Sequence, residues 1–272
     1  MLSIIIAGSG PTDRNCNSIV GINSNAFQML ADSLKASGIS SYRYDKRSVG
    51  KSTIVKESDV DFYDFINDAS AIVNYFSKDF KHINIIGHSE GALIGTLVSL
   101  QNPSVQSFVN LSGMSISLDS IILEQVSGNP IVQTQVRKHF NEIKSTGDLS
   151  DVDPGLAALF RPSIVNYLKT IIVYDPSVEH SKIVIPVFVI GGTCDIQVPK
   201  KHAIKLYAAL KDNALHKYAM IEGMGHLLKR NQADCSDSQS SYTDGEKPLH
   251  PQLSPSITEF INSASTPKSQ DP

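Results

Sequence analysis

Short apolar runs alternate along the chain with longer segments whose apolar residues recur every three or four positions. Leu2–Ala7 is β-rich and predicts a strand. Residues 26–37 carry Phe27, Leu30, Ala31 and Leu34 at helical spacing, with Ser24 as the expected cap and Gly38 as the stop. A short strand is expected over 40–44. Residues 61–78 give the clearest helix, with Phe62, Phe65, Ile66, Ala69, Ile72, Val73 and Phe76 on one stripe. A strand over 82–86 runs into Gly87, followed by a helix over 92–100 and a strand over 105–111. Beyond these come a strand over 183–190, a helix over 202–210, a strand over 215–221 and a final helix over 254–261. This β-α-β-α order predicts a mostly parallel sheet with helices on both faces. In such sheets ligands bind outside the carboxyl ends of the strands.

Two segments break the alternation. From residue 115 to about 181 no run predicts a strand, and helical stretches around 131–143 and 164–173 take its place. The expected organisation is an α/β core of residues 1–114 and 182–272 with a helical cap or lid at 115–181. The second segment, 229–251 (KRNQADCSDSQSSYTDGEKPLHP), is a polar loop of a length that is often functional or mobile. The tail over 263–272 is expected to be disordered. No internal repeat is present.

Composition narrows the classes of function. The 272 residues are 41% hydrophobic and carry a formal charge of −3, with basic residues scattered rather than gathered into a stripe. Nucleic acid is therefore not the expected partner. The longest apolar runs are too short to span a bilayer. The start, MLSIIIAGSG, lacks the positive n-region of a signal peptide. Cys16, Cys194 and Cys235 are odd in number and without metal-type spacing, which reads as free thiols in a reducing compartment, the cytoplasm.

The chemistry is expected at Gly87-His88-Ser89-Glu90-Gly91. A strand that passes at once into a helix needs a sharp turn, and bulky neighbours would clash there with adjacent strands. Glycines two residues to either side remove the clash and leave the Ser89 hydroxyl exposed, the G-x-S-x-G nucleophile elbow. Such a serine needs a base and an orienting acid, in the order Ser, Asp or Glu, His. Asp195 follows the strand ending near Ile190, and His226 follows the strand ending near Ile221. Taken alone, an aspartate there is more often a solvated loop carboxylate, and a histidine a surface residue. Glu179 and Glu222 stay open as alternatives for the acid, with Cys194 beside Asp195, and His250 stays open for the base. An oxyanion would take the backbone N–H of Glu90 and, from the Gly-rich loop Ala7-Gly8-Ser9-Gly10, that of Ser9. This loop has neither G-x-G-x-x-G nor a P-loop lysine, so a phosphate cradle is rejected. The Glu90 side chain is expected to point away from the developing anion.

With AGSGPTDRN, YDKRSVGKS, GHSEGA, DIQVP, GMGH and PLHP in place, the chain resembles α/β-hydrolases of the serine aminopeptidase-like and carboxylesterase group, over residues 7 to about 251. The resemblance implies Ser89, Asp195 and His226 as catalytic triad, with Ser9 and Glu90 as oxyanion donors. It also shows two departures. Ser48 stands where the group has glycine, so a distorted turn is expected. The chain opens at what would be the third strand of the full fold, its antiparallel first two lacking. The edge left bare is expected to be covered by a second subunit in a homodimer, or the chain is a shortened one.

The sequence thus predicts a serine hydrolase acting on a small carboxylic ester, with no metal or cofactor implied. A peptidase or amidase that removes a small N-terminal residue is the runner-up, with Asp148, Asp151 and Asp153 as candidates to hold a free α-amine. A thioesterase and a non-catalytic binding module on the same fold complete the alternatives. The insertion holds few aromatics (Phe140, Phe160, Tyr167, Tyr174) and the chain has no tryptophan, which predicts a small, closed pocket.

Overall fold

The structure, a computed structural model, describes residues 1–265. Six strands form one sheet: β1 (Leu2–Ile6), β2 (Ser40–Arg43), β3 (Ile83–His88), β4 (Val105–Leu111), β5 (Val187–Cys194) and β6 (Lys217–Gly225). Their order is β2-β1-β3-β4-β5-β6, and every neighbouring pair is parallel. All six carboxyl ends therefore meet at one edge.

Strand residues alternate between two cores, as the two-residue period of a strand requires. Ile4, Ile6, Ile85, Phe108, Val187 and Val189 face one side. There they pack on α2 (Phe62–Phe76), α3 (Glu90–Gln101) and α9 (Lys201–Ala209). Ile5, Ala7, Ile86, Val109, Leu111, Phe188 and Ile190 face the other side, under α1 (Ala26–Ala36) and α10 (Leu253–Ser265). Burial on both faces explains why the central strands read as continuous apolar runs. Helix α3 is apolar around most of its circumference, and Glu90 to Val98 are all buried.

Between β4 and β5 the chain is helical: α4 (Leu118–Gln125), α5 (Pro130–Thr146), α6 (Ala157–Phe160), α7 (Val165–Ile171) and α8 (Pro176–His180). Phe140 packs edge-on against Phe160 within this segment. Tyr167 and Tyr174 pack on Phe62, and Tyr167 also on Phe65, of α2. The aromatics of the segment are thus spent on joining it to itself and to the core.

Several boundaries differ from the sequence reading. Strand β5 starts after Pro186, which has no N–H for the ladder, and runs on to Cys194. Helix α3 begins at Glu90 because the turn at Ser89 delivers the chain straight into helical geometry. Asn25 rather than Ser24 occupies the N-cap of α1, with φ 51°, and the Ser24 hydroxyl accepts from the Ala26 N–H just inside. Ser263–Ser265 continue α10, and the rest of the expected disordered tail lies outside the described residues. Ser48 takes φ 61°, the left-handed backbone for which a glycine was expected, while its hydroxyl exchanges hydrogen bonds with the Val55 backbone.

The cysteine reading is corrected. Cys194 and Cys235 form a disulfide, and Cys16 alone is a free, buried thiol. The residues are 41 apart in sequence, and only the fold brings the end of β5 against the 229–251 loop. The case for a reducing compartment rested on free thiols and falls with them. The same loop is pinned by bridges from Met224 to Arg230 and from Lys229 to Leu249. The wholly buried Lys229 ammonium donates to the Lys247 carbonyl. No helix among the described residues is long and apolar enough to cross a membrane.

A cross-link closing a loop of this length restricts the unfolded chain by about 3–4 kcal/mol. Reduction, or Cys235→Ser, is expected to lower unfolding stability by up to that amount. Urea titrations with and without dithiothreitol measure it, and coincident curves would contradict the cross-link.

Candidate active site

The site begins at the junction of β3 and α3. Ser89 adopts φ 55° and ψ −121°, a region that non-glycine residues rarely occupy. Its N–H donates to the Leu111 carbonyl at the end of β4, and its carbonyl accepts from Ala92. The turn is so tight that its flanking glycines have no room for a side chain. A Cβ on Gly91 would lie 2.4 Å from the Ile6 carbonyl oxygen and 2.6 Å from that of Ala7, and one on Gly87 would lie 2.3 Å from the Gly91 carbonyl oxygen. Backbone cannot yield as a side-chain tip can, so both glycines are steric requirements of the elbow.

Asp195 and His226 come from the neighbouring strands β5 and β6. Cys194 pairs in register with Gly225, so the next residue of each chain leaves the same edge at the same level. His226 Nδ1 lies 3.0 and 2.9 Å from the two Asp195 carboxylate oxygens. Asp195 Oδ1 also accepts from the Gln197 and Val198 N–H groups, which fixes the carboxylate in its turn. Burial pushes the Asp195 carboxyl up. The nearby His226 and these hydrogen bonds outweigh it and hold the group below its ordinary value. His226 sits beside the elbow, because the ring of His88, the residue before Ser89, packs against it in a tilted contact at 4.8 Å between centroids. His88 Nε2 lies 2.8 Å from the His226 carbonyl oxygen and so carries the proton. The rivals are otherwise placed: Glu179 pairs with Lys182, Glu222 is exposed, and the His250 ring accepts through Nδ1 from the Gln252 N–H.

The third part of the site is the loop after β1. A Cβ on Gly8 would lie 3.0 Å from the Ser89 Cβ, so this loop runs alongside the serine. Ser9 is exposed beside it. Arg14, further along, clasps Asp45 in the turn after β2 through Nε at 3.0 Å and Nη2 at 2.6 Å. The Glu90 side chain does not reach solvent. It is buried against Lys46, Nζ to Oε1 3.2 Å, and accepts from the Tyr167 hydroxyl. Lys46 was not singled out in the sequence, and Tyr167 was read only as one of the aromatics of the 115–181 insertion. Lys46 lies in the quoted YDKRSVGKS run, but nothing local says that its ammonium would be buried. Among the described residues no group of three or more His, Cys, Asp or Glu could hold a metal ion.

These features meet the known families at one point. The family model for serine aminopeptidases, S33, matches residues 20–232. The chain belongs to that family. It is accordingly a serine hydrolase of the α/β-hydrolase type. Solved structures agree on the fold. A lipase-esterase related protein from Clostridium acetobutylicum superposes with TM-score 0.57 at 18% identity, over 95% of this chain and 93% of that one. An esterase from Pyrococcus furiosus gives 0.59 at 15% over 97% and 82%. A monoacylglycerol lipase from Paleococcus ferrophilus gives 0.56 at 16% over 97% and 95%. A comparison with curated protein sequences gives no match.

In this S33-family chain, burial also creates a pH dependence. Burial, with His226 nearby, pushes His88 down to about 3, and burial, with His216 nearby, does the same to His180. The unfolded chain protonates both near 6.5, the folded chain only near 3. Between those values the unfolded state binds more protons, so stability is full above about pH 6.5 and declines as pH falls. Between pH 7 and 5 the loss is expected to reach about 2 kcal/mol per histidine. Urea unfolding at the two pH values measures it, and a flat profile would mean that these rings are not held neutral. Gly91→Ala, which drives a methyl into the β1 carbonyls, is expected to cost about 3 kcal/mol or more. Near-native stability in the same titration would refute the tight elbow.

Proposed function

We propose that the chain is a carboxylesterase for small esters, with Ser89 as nucleophile, His226 as general base and Asp195 as the residue that orients the imidazole. The supporting observation is the convergence of the Asp195–His226 pair and the Ser89 elbow on one sheet edge. In this reading His226 takes the Ser89 proton as the hydroxyl attacks the ester carbonyl, and the N–H groups of Glu90 and Ser9 receive the oxyanion. His226 then protonates the leaving alcohol, and water clears the acyl-enzyme by the same steps in reverse roles.

Ester is preferred over N-terminal peptide because the carboxylates at the site are already engaged. Asp195 is bound by His226, and Glu90 by Lys46 and Tyr167. Of the residues considered for holding an α-amine, Asp148, Asp151 and Asp153 are all exposed, and Asp148 and Asp153 accept from the Leu149 and Gly155 N–H groups of their own turns. A substrate ammonium would find no free counter-charge at Asp195 or Glu90. The helices over 115–181 act as the cap, and their aromatics, engaged in packing, leave little apolar wall for a long acyl chain.

Ser89→Ala is expected to abolish nitrophenyl acetate hydrolysis and fluorophosphonate labelling while the protein stays folded. Asp195→Asn is expected to lower kcat by a factor on the order of a thousand or more. Retention of a tenth of wild-type activity in Ser89→Ala would sink the assignment. Across acetate, butyrate, octanoate and palmitate esters, kcat/KM is expected to hold or rise to butyrate and then fall. A steady rise to palmitate would mean an open, lipase-like groove, and faster cleavage of aminoacyl anilides or thioesters would displace the ester reading.

A further inference from the structure

The carboxylate that follows the candidate nucleophile is buried, and so is the lysine that meets it. Lys46 leaves the turn after β2, passes over the Phe65 ring at 4.5 Å from the centroid, and ends with its ammonium between two acceptors. One is Glu90 Oε1 at 3.2 Å. The other is the backbone carbonyl oxygen of Gly8 at 2.9 Å. Neither Lys46 nor Glu90 is more than a few per cent exposed. On its far oxygen Glu90 accepts from the Tyr167 hydroxyl of α7, and burial together with Glu90 pushes that phenol well above its ordinary value, so it stays a donor.

The Gly8 carbonyl belongs to the same peptide unit as the Ser9 N–H. That unit is planar, and the described chain contains no cis peptide bond, so the N–H points opposite to the carbonyl. A hydrogen bond on the oxygen therefore fixes the direction of the N–H. A cationic donor there also polarises the unit and makes its N–H a stronger donor. Fixing is needed because Gly8 has no side chain to restrict the loop. Glu90 closes the circuit, since its N–H is the other proposed oxyanion donor and its carboxylate holds the ammonium that holds the Gly8 carbonyl.

We propose that Lys46 is a positioning residue for the oxyanion hole: it grips the Gly8 carbonyl and so aims the Ser9 N–H at the oxyanion, while Glu90 and Tyr167 hold the ammonium in place. The proposal rests on Ser89 being the nucleophile. It gives three separate segments, the loop after β1, the elbow and the helical cap, one shared anchor. It also accounts for a carboxylate next to an anion-forming centre, since Lys46 offsets the Glu90 charge and Glu90 spends both oxygens away from the oxyanion.

The test uses two ketone inhibitors that share one acyl chain. A trifluoromethyl ketone adds the serine and forms an oxyanion, and the matching methyl ketone binds without forming one. In Lys46→Met, kcat is expected to fall by about tenfold to a hundredfold with KM little changed, less than complete removal of an oxyanion donor costs. Trifluoromethyl ketone inhibition should weaken by a similar factor and methyl ketone binding should not. Lys46→Arg, which keeps the charge and a donor, should recover part of the loss. Because Lys46→Met strands a buried carboxylate, Lys46→Met/Glu90→Gln is measured beside it, with thermal unfolding of each. A folded double variant with wild-type kcat and wild-type trifluoromethyl ketone affinity overturns the proposal. Equal weakening of both ketones, or failure of both variants to fold, makes the cluster structural only and overturns it as well. If wild type forms no trifluoromethyl ketone adduct and Ser89→Ala matches it, the nucleophile assignment itself fails and the positioning role falls with it.

Discussion

The site is built around one close approach: the first turn of α3 pressed against the carboxyl ends of β1 and β3. Gly91 sits where any Cβ would enter the Ile6 and Ala7 carbonyls, and Gly87 where it would enter the backbone of Gly91. This contact strains Ser89 into its unusual backbone and brings the Gly8 loop alongside it. It also forces the first turn of the helix into the interior, and with it the Glu90 side chain. A buried carboxylate is costly unless paired, and the helix N-terminus, which favours a negative charge, is only part of the compensation. Lys46 and the Tyr167 hydroxyl supply the rest. The lysine turn and helix α7 are thus drawn to the elbow by the electrostatics that the elbow creates.

The other half of the site depends on register. Strands β5 and β6 are parallel neighbours, so Asp195 and His226 leave the sheet side by side without any long-range loop having to find its mark. Strand β4 lies between this pair and the elbow, and the gap is bridged above it by the His88–His226 ring contact and by the Ser89 N–H on Leu111. The disulfide and the pinned 229–251 loop hold the outer side of the Asp195 turn, where Ser238 donates to the Cys194 carbonyl. Strain at the serine is tolerated because the residues around it are held from both cores.

Much of this was legible in the chain because it is encoded by short-range patterns. The alternation of apolar runs and helical stripes follows from the periods of strand and helix, and it located every strand to within a few residues. Pro186 shifted the start of β5 because a missing N–H outweighs apolar character. The glycines about Ser89 signal the elbow because steric exclusion acts on residue identity. His226 and Asp195 could be put forward as candidates because a parallel sheet sends every strand end to the same edge.

What the sequence by itself determined is the set of local conformations and, through their order, the sheet edge where the candidate site lies. Tertiary structure decided which distant groups share that edge. Cys194 and Cys235 looked like unpaired thiols because a spacing of 41 residues says nothing about distance until β5 and the polar loop are packed. Lys46 and Tyr167 carried no signal, since a lysine in a turn is ordinarily solvated and a tyrosine on a helix is ordinarily packing. Their role comes from the buried Glu90 carboxylate, whose need for partners arises only when folding removes it from water, and charges and donors then pair by proximity in space rather than by position in the chain.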